Sequence, residues 1–184
     1  MTKRIGSITT AAIAWAIASA PCAAAKPAVS ITAAHEARET LGELKGLASK
    51  AAGNAYQLEI YIRDARLGRD SQMFPLVSLK EDVNKMGKDM ASLEARRDSL
   101  DPWEQQAIDK VLPLLREAAA NAERATVYFN ENGTHLWGPE YRSSLDKAYR
   151  DSDQIANTLK NYLKFEKAHE QEEHLEATIG GGAK

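Results

Sequence analysis

Three of the four histidines lie among glutamates at spacings that suit metal binding. His35 precedes Glu39 by four residues, and His169 precedes Glu173 by the same spacing, with His174 next in the chain. Residues four apart share one face of a helix, and imidazole with carboxylate suits divalent transition metals. The pattern indicates a candidate weak metal site at His35, Glu39, His169, Glu173 and His174. The alternative is a solvated helix end that carries ordinary charges.

Other chemistry-bearing patterns are missing from the sequence. It contains no glycine-rich phosphate loop, no His-Glu-x-x-His, no calcium loop and no serine flanked by glycines. Met86 and Met90 could serve as axial ligands to a haem, but no histidine is expected at core depth opposite them, so core filling is favoured. We therefore expect a non-enzymatic protein with no cofactor beyond a weakly held divalent metal.

The N-terminus has the three parts of a secretory signal peptide. Lys3 and Arg4 give a positive start, residues 8–20 are uncharged, and Ala23-Ala24-Ala25 supplies small residues before Lys26. We expect cleavage near Ala25/Lys26 and export to the periplasm or the exterior. An uncleaved membrane anchor is the alternative, because the uncharged run from Ile5 to Ala25, 21 residues, is close to membrane-spanning length.

Cys22 is the only cysteine, and it falls within this leader. A lipoprotein signal would place a large aliphatic residue three before the cysteine and a small residue directly before it, but Ser19 and Pro21 stand there. The exported chain would then hold no cysteine, and its core alone would stabilise it.

The net charge of the chain indicates which classes of partner it can bind. The chain of 184 residues has 24 basic and 26 acidic residues, a net charge of −2, and loss of Lys3 and Arg4 would make it more acidic. A mildly acidic surface argues against nucleic acid as a partner. No second apolar stretch approaches membrane length, so we expect no stable membrane span after cleavage.

Hydrophobic spacing predicts four helices. Apolar residues recur at alternating steps of three and four residues, as in Ala37, Leu41, Leu44, Ala48 and Ala51. Gly68, Asp101-Pro102, Asn132-Gly133 and Gly138-Pro139 punctuate the pattern. The predicted helices span residues 33–67, 75–99, 102–131 and 139–176, and residues 179–184 form a flexible tail.

The short connections make sequence neighbours antiparallel in space. We therefore predict an all-α protein: an antiparallel up-down-up-down four-helix bundle over residues 26–178, preceded by the signal peptide. The alternative is a two-helix coiled coil formed by two chains, and a homo-oligomer stays open. Alanine-rich parts of helices 1 and 3 predict close packing, with a dry cavity for an apolar ligand as the alternative.

This topology brings the helix 1–2 and helix 3–4 turns together at one end, called here the loop end. Candidate partner-binding residues there are Phe74, His135, Leu136, Trp137 and Tyr141. Trp137 could instead fold down as a plug over the core. The favoured function is binding another cell-envelope protein through the loop end, and the alternative is a carrier of a metal or small ligand.

At the other end, helices 1 and 4 should extend beyond the bundle. If they run antiparallel, residue i of helix 1 faces about residue 207 − i of helix 4, which sets His35 between His169 and His174. The helix 2–3 turn is expected to reach only the level of residue 42 on helix 1.

Overall fold

The computed structural model describes residues 31–180 except 65, 134 and 137. The described chain contains helices α1, α2, α3 and α4 and a short 3-10 turn at Arg97–Ser99; the helices span Ile31–Arg63, Arg69–Ala95, Pro102–Glu131 and Pro139–Gly180. The all-helical prediction is confirmed over these residues. The predicted leader, its cleavage site and residues 181–184 lie outside them. Within the described helices, no segment is long and apolar enough to cross a membrane.

The predicted apolar seams meet in one buried cluster. Leu44, Met86, Leu115 and Leu159, one from each helix, all belong to it. Met86 and Met90 are buried among these side chains, which supports their interpretation as core residues. The core arises because each helix carries one apolar stripe that water would otherwise contact.

Contacts between α1 and α4 show that these helices run antiparallel. Arg38, near the start of α1, binds Glu166 and Glu170 in the second half of α4, at 3.0 and 2.6 Å. Two turns before the end of α1, the Tyr56 ring lies 5.8 Å from the Tyr149 ring in the first half of α4. Both contacts agree with the register expected from the sequence.

The other neighbouring helices also pack antiparallel. Lys80 of α2 pairs with Glu123 of α3 at 3.0 Å, whereas Arg97, just after α2, pairs with Asp109 near the start of α3 at 2.7 Å. Helix α3 joins α4 through Asn121 and Asp151 at 3.1 Å. Each helix thus packs on its sequence neighbours, and α1 packs on α4.

The α1–α2 boundary differs from the prediction. Helix α1 ends at Arg63 rather than residue 67, because the Asp64 carboxylate accepts hydrogen bonds from the backbone and guanidinium of Arg66 and forms a local turn. Helix α2 begins six residues before Pro75, with Gly68 as its N-cap. Pro75 therefore lies inside the helix, rather than in its first turn as predicted.

The start of α3 follows the prediction. Asp101 and Glu104 form a capping box, and the Glu104 carboxylate accepts the Asp101 backbone N–H at 2.9 Å. Pro102 occupies the first turn, where its missing N–H leaves no helical hydrogen bond unmade. Glu104 is buried, and this burial raises the pKa of its carboxyl group.

The overhang of α1 is shorter than expected. Arg96, at the α2–α3 turn, pairs with Glu36 of α1 at 3.1 Å, so this turn reaches the level of residue 36 instead of residue 42. Residues 171–179 of α4 are all exposed. The part of α4 beyond the bundle is called here the α4 tail, residues 171–180.

Candidate functional site

Arg69 ties the two turns of the loop end together. Its guanidinium donates hydrogen bonds to the backbone carbonyls of Phe129 and Gly133, at 2.6 and 3.2 Å. It also lies over the Phe129 ring, 4.2 Å from the centroid, in a cation–π contact. The start of α2 is thereby fixed against the end of α3, as the predicted topology requires.

Two of the predicted partner-binding residues are buried. Leu136 and Tyr141 belong to the core cluster, and the Tyr141 ring stacks on Tyr128 at a centroid distance of 5.5 Å. Both side chains close the end of the core, because the last turn of α3 and the first turn of α4 would otherwise leave it open to water. This is a correction: neither side chain is available to a partner in this structure.

Phe74 has the opposite environment. Its side chain is 78% exposed, and its neighbours Met73 and Val77 on α2 are 54% and 49% exposed. These three residues are called here the α2 patch. Residues three and four apart share a helix face, so Phe74 and Val77 present adjoining apolar surface to solvent. Exposed apolar residues that cluster in this way are typical of interaction sites.

The remaining predicted loop-end residues are His135 and Trp137. His135 is exposed, and its backbone carbonyl lies 3.4 Å from the Tyr128 hydroxyl, which donates to it. Trp137 lies outside the described residues, so its two interpretations stay predictions. The functional candidates retained at this end are Phe74 and His135.

The predicted metal ligands form two separate pairs. His35 Nε2 lies 3.3 Å from a Glu39 oxygen, and His169 Nε2 lies 3.5 Å from a Glu173 oxygen. All four side chains are more than half exposed. Across residues 31–180, gaps excepted, no group of three or more His, Cys, Asp or Glu side chains is placed to hold a metal ion. His174 is exposed on the α4 tail.

Partly buried carboxylates serve the packing of helices. Burial raises the pKa of Asp82, Asp151 and Glu166, and each of these carboxylates accepts a hydrogen bond from a neighbouring helix. Perturbed carboxyl groups can mark catalytic sites. Here their partners are Asn54, Asn121 and Arg38, so helix-to-helix hydrogen bonding accounts for their positions.

No protein-family model, no curated protein and no solved structure matches this chain.

Proposed function

We propose that this chain is an exported, non-enzymatic helical-bundle protein that binds another protein of the cell envelope through its loop end. The full architecture proposed is an antiparallel up-down-up-down four-helix bundle that follows a cleaved signal peptide. The observation that most directly supports the binding function is the exposure of Phe74 beside Met73 and Val77.

The α2 patch lies where a partner could reach it. It begins four residues after Arg69, whose contacts with the end of α3 hold this part of α2 in place. A rigid helix that presents a large aromatic side chain loses little conformational entropy on binding. Aromatic residues in such patches often contribute much of the binding energy.

Export is supported by the composition of the first 25 residues. The charged start, the uncharged segment and the small residues before Lys26 match the requirements of signal peptidase substrates. Intact mass and N-terminal sequencing of the protein recovered from an envelope fraction test this part. A chain that begins at Lys26 is expected, whereas recovery of the uncleaved chain from the membrane fraction would favour an anchor.

Site-specific photocrosslinking in the native cell tests the binding function. A photoreactive phenylalanine analogue at position 74 is expected to give one discrete adduct with an envelope protein, and V77S should weaken it because it removes adjoining apolar surface. The same analogue at the exposed Lys110 of α3 is the control and should give no such adduct. Equal adducts from both positions, or none from position 74, would contradict the proposed surface.

A second candidate function is metal carriage at the end of the bundle opposite the loop end, where α1 begins. The observations that favour it are the distances of 3.3 Å in His35–Glu39 and 3.5 Å in His169–Glu173. Zinc titration followed by imidazole NMR tests this function. If the pairs share one metal, the His35, His169 and His174 signals shift together, and either E39Q or E173Q abolishes all three shifts. Unmoved signals at stoichiometric zinc would dispose of this candidate.

A further inference from the structure

A surface groove runs along the junction of α2 and α3. It has a volume of about 690 Å³. Its floor is apolar and includes Val83, Met90, Leu112 and Leu115. Its edges carry exposed small residues: Gly87, Ala91, Ala95 and Ala119. The groove arises because both facing helices have short side chains where long ones would cover the seam.

Charged residues bridge this junction on either side of the groove. Positions 80, 87 and 94 of α2 face positions 123, 116 and 109 of α3, since both sets repeat every seven residues. Lys80 binds Glu123 at 3.0 Å. At the other end, Arg97 binds both Glu94 and Asp109, at 2.8 and 2.7 Å.

The middle position of this series has a cation without an anion. Gly87 and Arg116 both line the groove, and the Arg116 guanidinium has no ion-pair or hydrogen-bond partner among the described residues. A Cβ built on Gly87 would have no described heavy atom outside its own helix turn within 4 Å. The groove therefore combines an apolar floor, open space and the unpaired Arg116, while the one carboxylate in its lining, Glu94, is paired with Arg97.

The α4 tail has the complementary composition. Leu175 and Ile179 are 59% and 75% exposed and lie four residues apart on one helix face. Glu172 and Glu176 border that face, and neither carboxylate has an ion-pair partner in the part of the chain that the structure describes. A short helix that extends beyond its bundle has little stability of its own in water, so a binding partner would stabilise the α4 tail.

The dimensions of the two surfaces agree. From Val83 to Ala95 the groove follows α2 for roughly 18 Å, and the α4 tail is roughly 15 Å long at 1.5 Å per residue. The α4 tail extends beyond the end of the bundle that carries the α2–α3 turn. It belongs to the α1–α4 helix pair, whereas the groove lies between α2 and α3. A continuous α4 helix cannot turn back onto the groove of its own chain, so the contact must form between two chains.

We propose that the α2–α3 groove binds the α4 tail of a second copy of this chain. Leu175 and Ile179 occupy the apolar floor, and Glu172 and Glu176 supply the carboxylates that Arg116 lacks. This is helix-in-groove recognition, on a surface separate from the α2 patch. Because the two surfaces differ, the contact is head-to-tail and leads to rings or short chains rather than a two-fold dimer. Its small area makes it a weak association.

Sedimentation velocity of the full chain over a concentration series tests the charge contact. The wild type is expected to sediment faster as its concentration rises. R116E should raise the apparent dissociation constant by on the order of tenfold or more, because it places like charges together. K110E makes the same charge change on an exposed part of α3 away from the groove, and should sediment like the wild type.

Filling the groove gives an independent test. G87L places a large side chain in the open space and should abolish association. Replacement of this glycine raises helix propensity, so the variant is expected to remain folded. The matched control is G53L on the exposed face of α1, where a Cβ also meets nothing within 4 Å. G53L should associate like the wild type, and thermal unfolding should show that both variants remain folded.

A charge exchange distinguishes this contact from every other mode of self-association. E172R/E176R and R116E should each associate poorly alone, and an equimolar mixture should recover association, because each groove then meets an oppositely charged tail. The proposal is overturned if the wild type stays monomeric throughout, if R116E matches K110E, or if the mixture fails to recover. It is equally overturned if native mass spectrometry finds a small amphiphile that G87L displaces while sedimentation stays unchanged.

Discussion

The side-chain amide of Asn121 donates a hydrogen bond to the carboxylate of Asp151 across 3.1 Å, and this contact joins α3 to α4 beside the core. Asn121 is buried and also accepts from the Arg124 guanidinium at 2.9 Å. Burial raises the pKa of Asp151 above its usual value despite the hydrogen bond. The contact therefore fixes the helices while the charge on Asp151 opposes folding.

Replacement of Asp151 by asparagine should increase stability at neutral pH. The carboxyl pKa of Asp151 is higher in the folded state, so protonation of this group stabilises the fold. This stabilisation is fully present below the unfolded pKa near 4 and is lost as the pH rises through the folded pKa. D151N keeps an acceptor for Asn121 and removes the charge. Urea unfolding should show that D151N has a higher free energy of unfolding than the wild type at pH 7, and that this difference is smaller at pH 4. A loss of stability at pH 7 would contradict this reasoning.

Arg38 should be important for the contact between α1 and α4. R38M leaves the mostly buried Glu166 carboxylate without its cation, which should cost about 1–3 kcal/mol of unfolding free energy at pH 7. Burial raises the pKa of Glu166, and Arg38 opposes that rise. The variant should therefore recover stability as pH falls, and the double variant R38M/E166Q should recover it at pH 7. An equally unstable double variant would point to lost packing of the arginine stem.

Gly138 leaves room for the ring of Tyr128. A Cβ at position 138 would overlap the Tyr128 hydroxyl and lie 2.7 Å from its Cζ atom. G138A should therefore displace Tyr128 from its stack on Tyr141 and cost about 1–3 kcal/mol. G68A, where the Cβ meets nothing within 4 Å, is the control. Thermal unfolding and near-ultraviolet circular dichroism measure the effect; equal melting temperatures for the two variants would refute it.

Tyr141 provides a test of the closed loop end. Its hydroxyl is buried without a hydrogen-bond partner among the described atoms, and burial strongly raises the pKa of the phenol. Y141F removes an unsatisfied polar group and keeps the ring, so it should be neutral or stabilising by about 1 kcal/mol. Denaturant unfolding measures this change, with Y162F as a comparison at a partly exposed position. A destabilised Y141F would mean that the hydroxyl has a partner.

The helices and the core could be predicted from sequence because their information is local. Alternating steps of three and four residues identify the buried face of a helix without knowledge of its neighbours. Ala37, Leu41, Leu44, Ala48 and Ala51 follow this spacing, and all five are buried. The capping box at Asp101 and Glu104 is likewise a local pattern, formed by two residues three positions apart.

The loop end could not be predicted to the same depth. Leu136, Tyr141 and Phe74 are all large apolar residues near turns, and spacing alone gives no reason to separate them. Leu136 and Tyr141 are buried because the end of α3 and the start of α4 converge over the core, whereas Phe74 remains exposed on the outer face of α2. The α2 patch was partly missed because the predicted helix began at residue 75, after both Met73 and Phe74.

The sequence by itself determined which residues form the core and where most of the helices lie, because an apolar stripe must be buried whatever it packs against. The sequence also predicted the register of α1 against α4, but only the tertiary structure decided which side chains of α2 and α3 lie opposite each other. Gly87 opposite Arg116 has no meaning within either helix, and becomes a groove with an unpaired cation only when α2 and α3 adopt their register. That register depends on packing between residues distant in the chain, which local spacing does not encode.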